Sequence, residues 1–176
     1  MKLEEAQKVI EGLIFAAPYP ISSEELGTIL EFEPIIVERL IERIREQFAN
    51  SGLMIRTVAG GYQFVTRPEL VSWIDKLGRP LISAPLSLAG LETLAIIAYQ
   101  QPLTKSHVEQ IRGVRSDSAI STLLDRELIM EFGRKDGPGR PILYGTTQKF
   151  LVHFGLRSLD DLPDRPKVPR IGEISE

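Results

Sequence analysis

The chain has 176 residues, 43% of them hydrophobic and 26% charged, which suits a folded protein and excludes a disordered one. It has no cysteine, so disulfides, thiolate catalysis and cysteine-ligated metals are excluded. The net charge of −3 argues against a dedicated DNA binder, because phosphate neutralisation by Lys and Arg supplies much of that affinity.

Leu3, Ala6, Val9, Ile10, Leu13, Ile14 and Ala17 recur at helical spacing and predict an amphipathic helix over residues 2–16, closed by Pro18 and Pro20. Ser22 and Glu25 stand as a capping box opening a short helix with Leu26, Ile29 and Leu30. Pro34 suits the first turn of a third helix carrying Ile36, Val37, Leu40, Ile41, Ile44 and Phe48. LMIRTVA and YQFVT flank Gly60-Gly61 as a hairpin, and Pro68 opens a further helix through Val71, Ile74 and Leu77. The segment LGRPLISAP, with two prolines, is the expected stiff linker.

The pattern then repeats. Ser87 caps a helix in which Leu88, Leu91, Leu94, Ala95 and Ala98 form the predicted apolar face, widened by Ile96, Ile97 and Tyr99 towards burial on more than one side, with Leu86 and Leu91 at the spacing of a hydrophobic staple. Pro102 ends it, Thr104 opens the next helix, and Gly113 closes that one. Ser116 is the expected cap of a third helix with an inner stripe of Ile120, Leu123, Leu124 and Leu128. Two short apolar runs, residues 129–132 and 142–144, enclose the tip GRKDGPGRP. Pro20-Ile21-Ser22 and Pro102-Leu103-Thr104 begin the second helix of each half, 82 residues apart.

Three helices and a hairpin, twice, predict an α+β, mostly helical chain of two tandem winged-helix domains. The expected boundaries are residues 1–79, a linker at 80–85, a second domain over 86–157 and a mobile tail over 158–176. Charge divides unevenly: −3 in residues 1–79, +2 in 80–157 and −2 in 158–176. No apolar run is long enough to span a bilayer, and the start MKLEEAQKVIEG lacks a signal-peptide pattern, so a cytoplasmic location without membrane contact is expected.

Catalytic and metal-binding sites are not expected. His107 and His153 are distant and lack surrounding motifs, Ser116-Asp117 reads as a helix start, and zinc requires about four ligands. The pairs Glu4-Glu5, Glu24-Glu25 and Asp160-Asp161 read as solvated helix starts. GRKDGPGRP lacks the spacing of a phosphate loop and does not open a helix. Its Arg134, Lys135 and Arg140 suit an acidic protein partner first, with a DNA backbone or a merely solvated turn as the alternatives. The outer positions of the third helix, Ser118, Ser121, Thr122, Asp125 and Glu127, make few base-specific contacts.

The segments Leu91–Gln101-Pro102, Ile111–Asp117, Gly133–Pro141 and Leu143–Thr147 resemble the segregation and condensation protein B family, ScpB, and Gly60–Phe64 is the most family-like piece of the first half. His107 departs from the pattern, since relatives place a Glu there that completes a capping box with Thr104. The resemblance implies a non-enzymatic subunit of the bacterial Smc condensin complex without a cofactor. It implies binding to the kleisin ScpA, contact with the Smc ATPase through ScpA, and homodimerisation through the N-terminal domain. A nucleoid-associated role in chromosome condensation and segregation follows, with DNA contact weak or indirect. Tyr99 and Tyr144, if exposed, join Arg134, Lys135 and Arg140 as candidate partner contacts, with ordinary wing and core residues as the equal alternative, and the 2–16 helix is the candidate dimer surface. The alternative is a winged-helix DNA-binding transcription regulator.

Overall fold

The computed structural model describes residues 2–78 and 85–164. The fold is α+β and mostly helical, built as two winged-helix units in tandem.

In the first unit, α1 (Leu3–Ala16), α2 (Ser23–Leu30) and α3 (Pro34–Gln47) precede the hairpin of β1 (Leu53–Val58) and β2 (Gly61–Thr66). Ser22 Oγ accepts the Glu25 N–H at 3.1 Å, so the predicted cap is in place, and Pro34 opens α3. Ala6, Ile10 and Ile14 of α1 meet Leu26 of α2 and Val37, Ile41 and Ile44 of α3 in one core. Each of these Ile, Leu and Val side chains stabilises the fold by about 1.5–3 kcal/mol through burial. The hairpin is antiparallel, from Leu53 opposite Thr66 to Val58 opposite Gly61. Ala59 and Gly60 turn it with φ of 51° and 73°. After β2 come a 3-10 turn (Pro68–Leu70), the one-turn α4 (Val71–Ile74) and a second 3-10 turn (Asp75–Leu77), which bury no residue.

The second unit runs α5 (Leu88–Gln100), β3 (Leu103–Thr104), α6 (Lys105–Arg112), α7 (Asp117–Asp125), β4 (Ile129–Arg134), β5 (Ile142–Thr146) and α8 (Gln148–Phe154). Its sheet has the order β3-β5-β4, all antiparallel. Leu94, Ile97, Val108, Ile120, Leu123, Leu128, Ile129 and Phe150 fill a separate core. Ser87, Thr104 and Thr147 each cap a helix through a side-chain oxygen.

Two expectations are corrected. The covered face of α5 is Gly90, Thr93, Leu94, Ile97 and Ala98, while Leu88 is 86% exposed and Leu91 and Ala95 are also exposed. The helix is apolar on both sides, so periodicity alone does not choose the buried one. Thr93 is tolerated inside because its hydroxyl donates to the Ala89 carbonyl at 2.8 Å. Ser116 does not cap α7 through its side chain. It is buried, its Oγ accepts from Arg112 Nη1 at 2.9 Å, and its N–H donates to Glu109 Oε1 at 3.0 Å. Arg112 also donates to Glu92 at 2.9 Å, so one guanidinium ties α5, α6 and the start of α7 together.

Of the expected linker at 80–85 only Pro85 is among the described residues, and the tail from residue 165 lies outside them. The expected mobile tail over 158–176 is corrected at its start: a 3-10 turn at Leu159–Asp161 is followed by Leu162, which rests on the core of the second unit. No described helix is long and apolar enough to cross a membrane.

Candidate partner-binding surface

The wing of the second unit carries the basic tip. A bulge between Glu131 and Gly133 shifts the register of β4 against β5. Past it, the Lys135 N–H donates to the Pro141 carbonyl at 2.9 Å and the Arg140 N–H to the Gly137 carbonyl at 3.2 Å. Arg140 sits at φ 38° and gives its carbonyl to Arg134 Nη1 at 3.1 Å. Arg134, Lys135 and Arg140 are thereby brought together on one exposed loop, and among the described residues none of the three forms an ion pair. A tip of this kind supplies charge for steering and for pairing with acidic groups.

Tyr144 lies in β5 and not on that loop. It is 7% exposed, in the central strand between Leu103 and Glu131, so the condition of exposure is not met. Burial, and then the nearby Glu131 carboxylate, raise its phenol pKa above the ordinary value.

Tyr99 belongs to another feature. It is half-buried near the end of α5, and its hydroxyl donates to the Pro163 carbonyl at 2.7 Å. It borders an open groove of about 470 Å³ lined by Leu91, Leu94, Ala95, Ala98, Phe150, Phe154, Leu156, Leu162 and Pro163. The α5 face exposed by the correction above is one wall of this groove, α8 forms a second, and the chain after Leu156 closes one end. Arg157 fixes that closing segment. Its guanidinium and backbone N–H all donate to Asp161, at 2.7–3.0 Å, and hold the carboxyl down at a pKa of about 2.

A second groove, about 380 Å³, lies at the Thr146 end of β5 between Gln101, Pro102, Phe132, Gln148 and Leu151. Gln101 Oε1 accepts the Thr146 N–H at 2.6 Å and staples the end of α5 to β5. Sequence reading placed Gln101 only within a family-like segment, because a bond to a residue 45 positions away leaves no local signal.

The outer face of α7 is poorly suited to a DNA groove. Asp117 and Asp125 are exposed there, alongside Ser118 and Ser121. The Lys105 ammonium hydrogen-bonds the Asp117 carboxylate, which lowers the Asp117 pKa and raises that of Lys105. His107 packs locally, with Nδ1 2.8 Å from Thr104 Oγ1. Among the described residues no group of three His, Cys, Asp or Glu side chains is placed to hold a metal.

The sequence profile described as "Segregation and condensation complex subunit ScpB" matches residues 8–165. The segregation and condensation protein B of Moorella thermoacetica is 51% identical over 156 residues, covering 88% of this chain and 80% of that protein. Its counterpart from Halalkalibacterium halodurans is 46% identical over 170 residues, covering 95% and 86%. A solved structure of a dimer of the ScpB N-terminal domain complexed with an ScpA peptide is 23% identical with a TM-score of 0.41, covering 43% of this chain and 96% of that one. That degree of likeness fixes neither fold nor partner.

Proposed function

The chain belongs to the ScpB family of segregation and condensation complex subunits, and from that premise we propose that it is a non-enzymatic part of the bacterial Smc condensin complex. In this reading it binds the kleisin ScpA, meets the Smc ATPase through ScpA, pairs with a second copy of itself, and supports chromosome condensation and segregation at the nucleoid. The second unit holds the kleisin.

The observation that carries the proposal is the groove beside Tyr99. Its lining is aliphatic and aromatic, and the Tyr99 hydroxyl is already engaged by Pro163. Such a surface offers contact area to the apolar stripe of an amphipathic helix, the helix-in-groove mode of recognition. Leu91 and Phe154 are exposed on its walls and are the natural anchors. The wing-tip cations then act on approach and partner choice more than on raw affinity. A sequence-reading role on DNA is disfavoured by the carboxylates on α7.

Co-purification of the full chain with ScpA tests the reading. A stable complex at micromolar concentration is the expected result. Absence of one, together with tight and salt-sensitive binding to a single DNA sequence, favours the regulator.

A further inference from the structure

The two wings share one construction and differ at their tips. On the second wing every residue from 131 to 140 is exposed. At the tip of the first, Val58 and Ala59 are only 0% and 7% exposed, yet neither belongs to the buried core of either unit. A two-residue hairpin turn lies at the solvated end of its strands. Burial there calls for a cover from outside the hairpin.

What meets the tip is the turn that ends α8. The Ala59 N–H donates to the Leu156 carbonyl at 2.8 Å. Within the hairpin that N–H has no acceptor, because Val58 and Gly61, the residues flanking the turn, are the last to pair. Further down β1, Arg56 reaches the same place: a Cβ built on Gly155 would lie 3.4 Å from Arg56 Nη1. Gly155 closes α8 at φ 69°, and the open carbonyls of a helix C-terminus favour a cation beside them. Alanine holds φ 51° at position 59, where asparagine or glycine sits more easily. A small side chain suits a covered position.

The contact bears on the groove beside Tyr99, since Leu156, Leu162 and Pro163 all line it. The Arg157–Asp161 clasp and the Tyr99–Pro163 bond hold the far end of this closing segment from within the second unit. Its near end, at Leu156, takes a bond from the first unit. We propose that the first wing braces the groove. Docked on Gly155 and Leu156 through Arg56 and Ala59, it positions the Leu156 wall, and ScpA is held at full strength only while the wing is seated. Arg56 and Ala59 are positioning residues and touch no ligand. This rests on the reading of the groove as the ScpA site and makes that site depend on both units.

Amide hydrogen exchange on the full chain, paired with calorimetric titration of purified ScpA, is the test. The Ala59 amide, free in an undocked hairpin, should exchange roughly tenfold or more slowly than in open chain. Ala59→Asn suits the turn but adds a carboxamide at the covered position, and Arg56→Glu sets a negative charge against the end of α8. Both should release the amide at position 59 and weaken ScpA binding by about two- to thirtyfold, the range for residues that act on a site without touching its ligand. Gly60→Asn, next along the tip where an added Cβ meets nothing within 4 Å, should change neither. A wild-type Ala59 amide that exchanges at the open-chain rate overturns the docking. An amide that stays protected in both variants overturns the roles of Arg56 and Ala59. Variants that release the amide yet bind ScpA like the wild type overturn the brace and leave the groove reading standing. A protected amide in a wild-type chain that does not bind ScpA overturns the groove reading, and the brace with it.

Discussion

Tyr62 and Tyr144 occupy the same place in the two halves, 82 residues apart (144 − 62). Each lies on the second hairpin strand opposite the residue that follows a proline. Ile21 and Tyr62 exchange both backbone hydrogen bonds, at 3.1 and 2.8 Å, and Leu103 pairs with Tyr144 in the same antiparallel sense. In both halves the connection from first to second helix is therefore tied to the wing. Burial is the leading cause of a raised phenol pKa at both tyrosines. The thin sequence identity between the halves hides a shared construction rule.

That tie is tight enough to predict a cost at Gly61. A Cβ there would come within 2.8 Å of the Pro20 carbonyl group and 2.9 Å of the Ile21 carbonyl carbon. These are backbone atoms and cannot swing aside. Gly61→Ala should destabilise the first unit by about 1–3 kcal/mol, read from chemical denaturation. An unchanged midpoint means that the Pro20–Ile21 connection is not held against the wing.

The start of α6 offers a pair of opposite effects. Thr104 Oγ1 accepts the His107 N–H, a long bond at 3.4 Å. Thr104→Ala should cost about 0.5–2 kcal/mol through loss of the cap. His107→Glu, which completes a capping box and places a negative charge in the first turn, should gain about 0.3–1 kcal/mol at low salt. Thermal melts of the two variants decide it; a destabilising His107→Glu contradicts the capping assignment.

The Arg157–Asp161 clasp gives a pH dependence. The Asp161 carboxyl is depressed from 3.8 to about 2, chiefly by its hydrogen bonds from Arg157. A depressed acid stabilises the folded arrangement above its unfolded pKa, and that contribution fades as pH falls from about 4 towards 2. The turn at Leu159–Asp161 should therefore stay docked at pH 5 and loosen below pH 3. Carboxyl NMR titration should place Asp161 near 2. A midpoint near 3.8 means that the clasp is not formed in solution.

Much of the fold was legible in the chain. Pro20, Pro34 and Pro102 set helix limits, and Ser22, Ser87 and Thr104 supplied caps whose hydrogen bonds the structure contains. Local chemistry of this kind acts within four residues and can be read locally. The failures were of another type. Periodicity grouped Leu88, Leu91, Leu94, Ala95 and Ala98, yet a helix that is apolar all round does not declare which side is covered; the partly open side became the groove wall. Tyr144 looked like a contact residue, and only the pairing of β3 with β5 shows it enclosed. The Gln101 staple depends on a residue 45 positions away, so tertiary structure alone displays it.

The central claim is that the groove beside Tyr99 grips an apolar stripe of ScpA. Calorimetric titration of the full chain with purified ScpA, set beside the exposed-wall variants Leu91→Asp and Phe154→Asp, tests it most directly. The account predicts micromolar or tighter binding by the wild type and a loss of roughly tenfold or more in each variant, with unchanged thermal melts. Variants that bind ScpA as tightly as the wild type would contradict it.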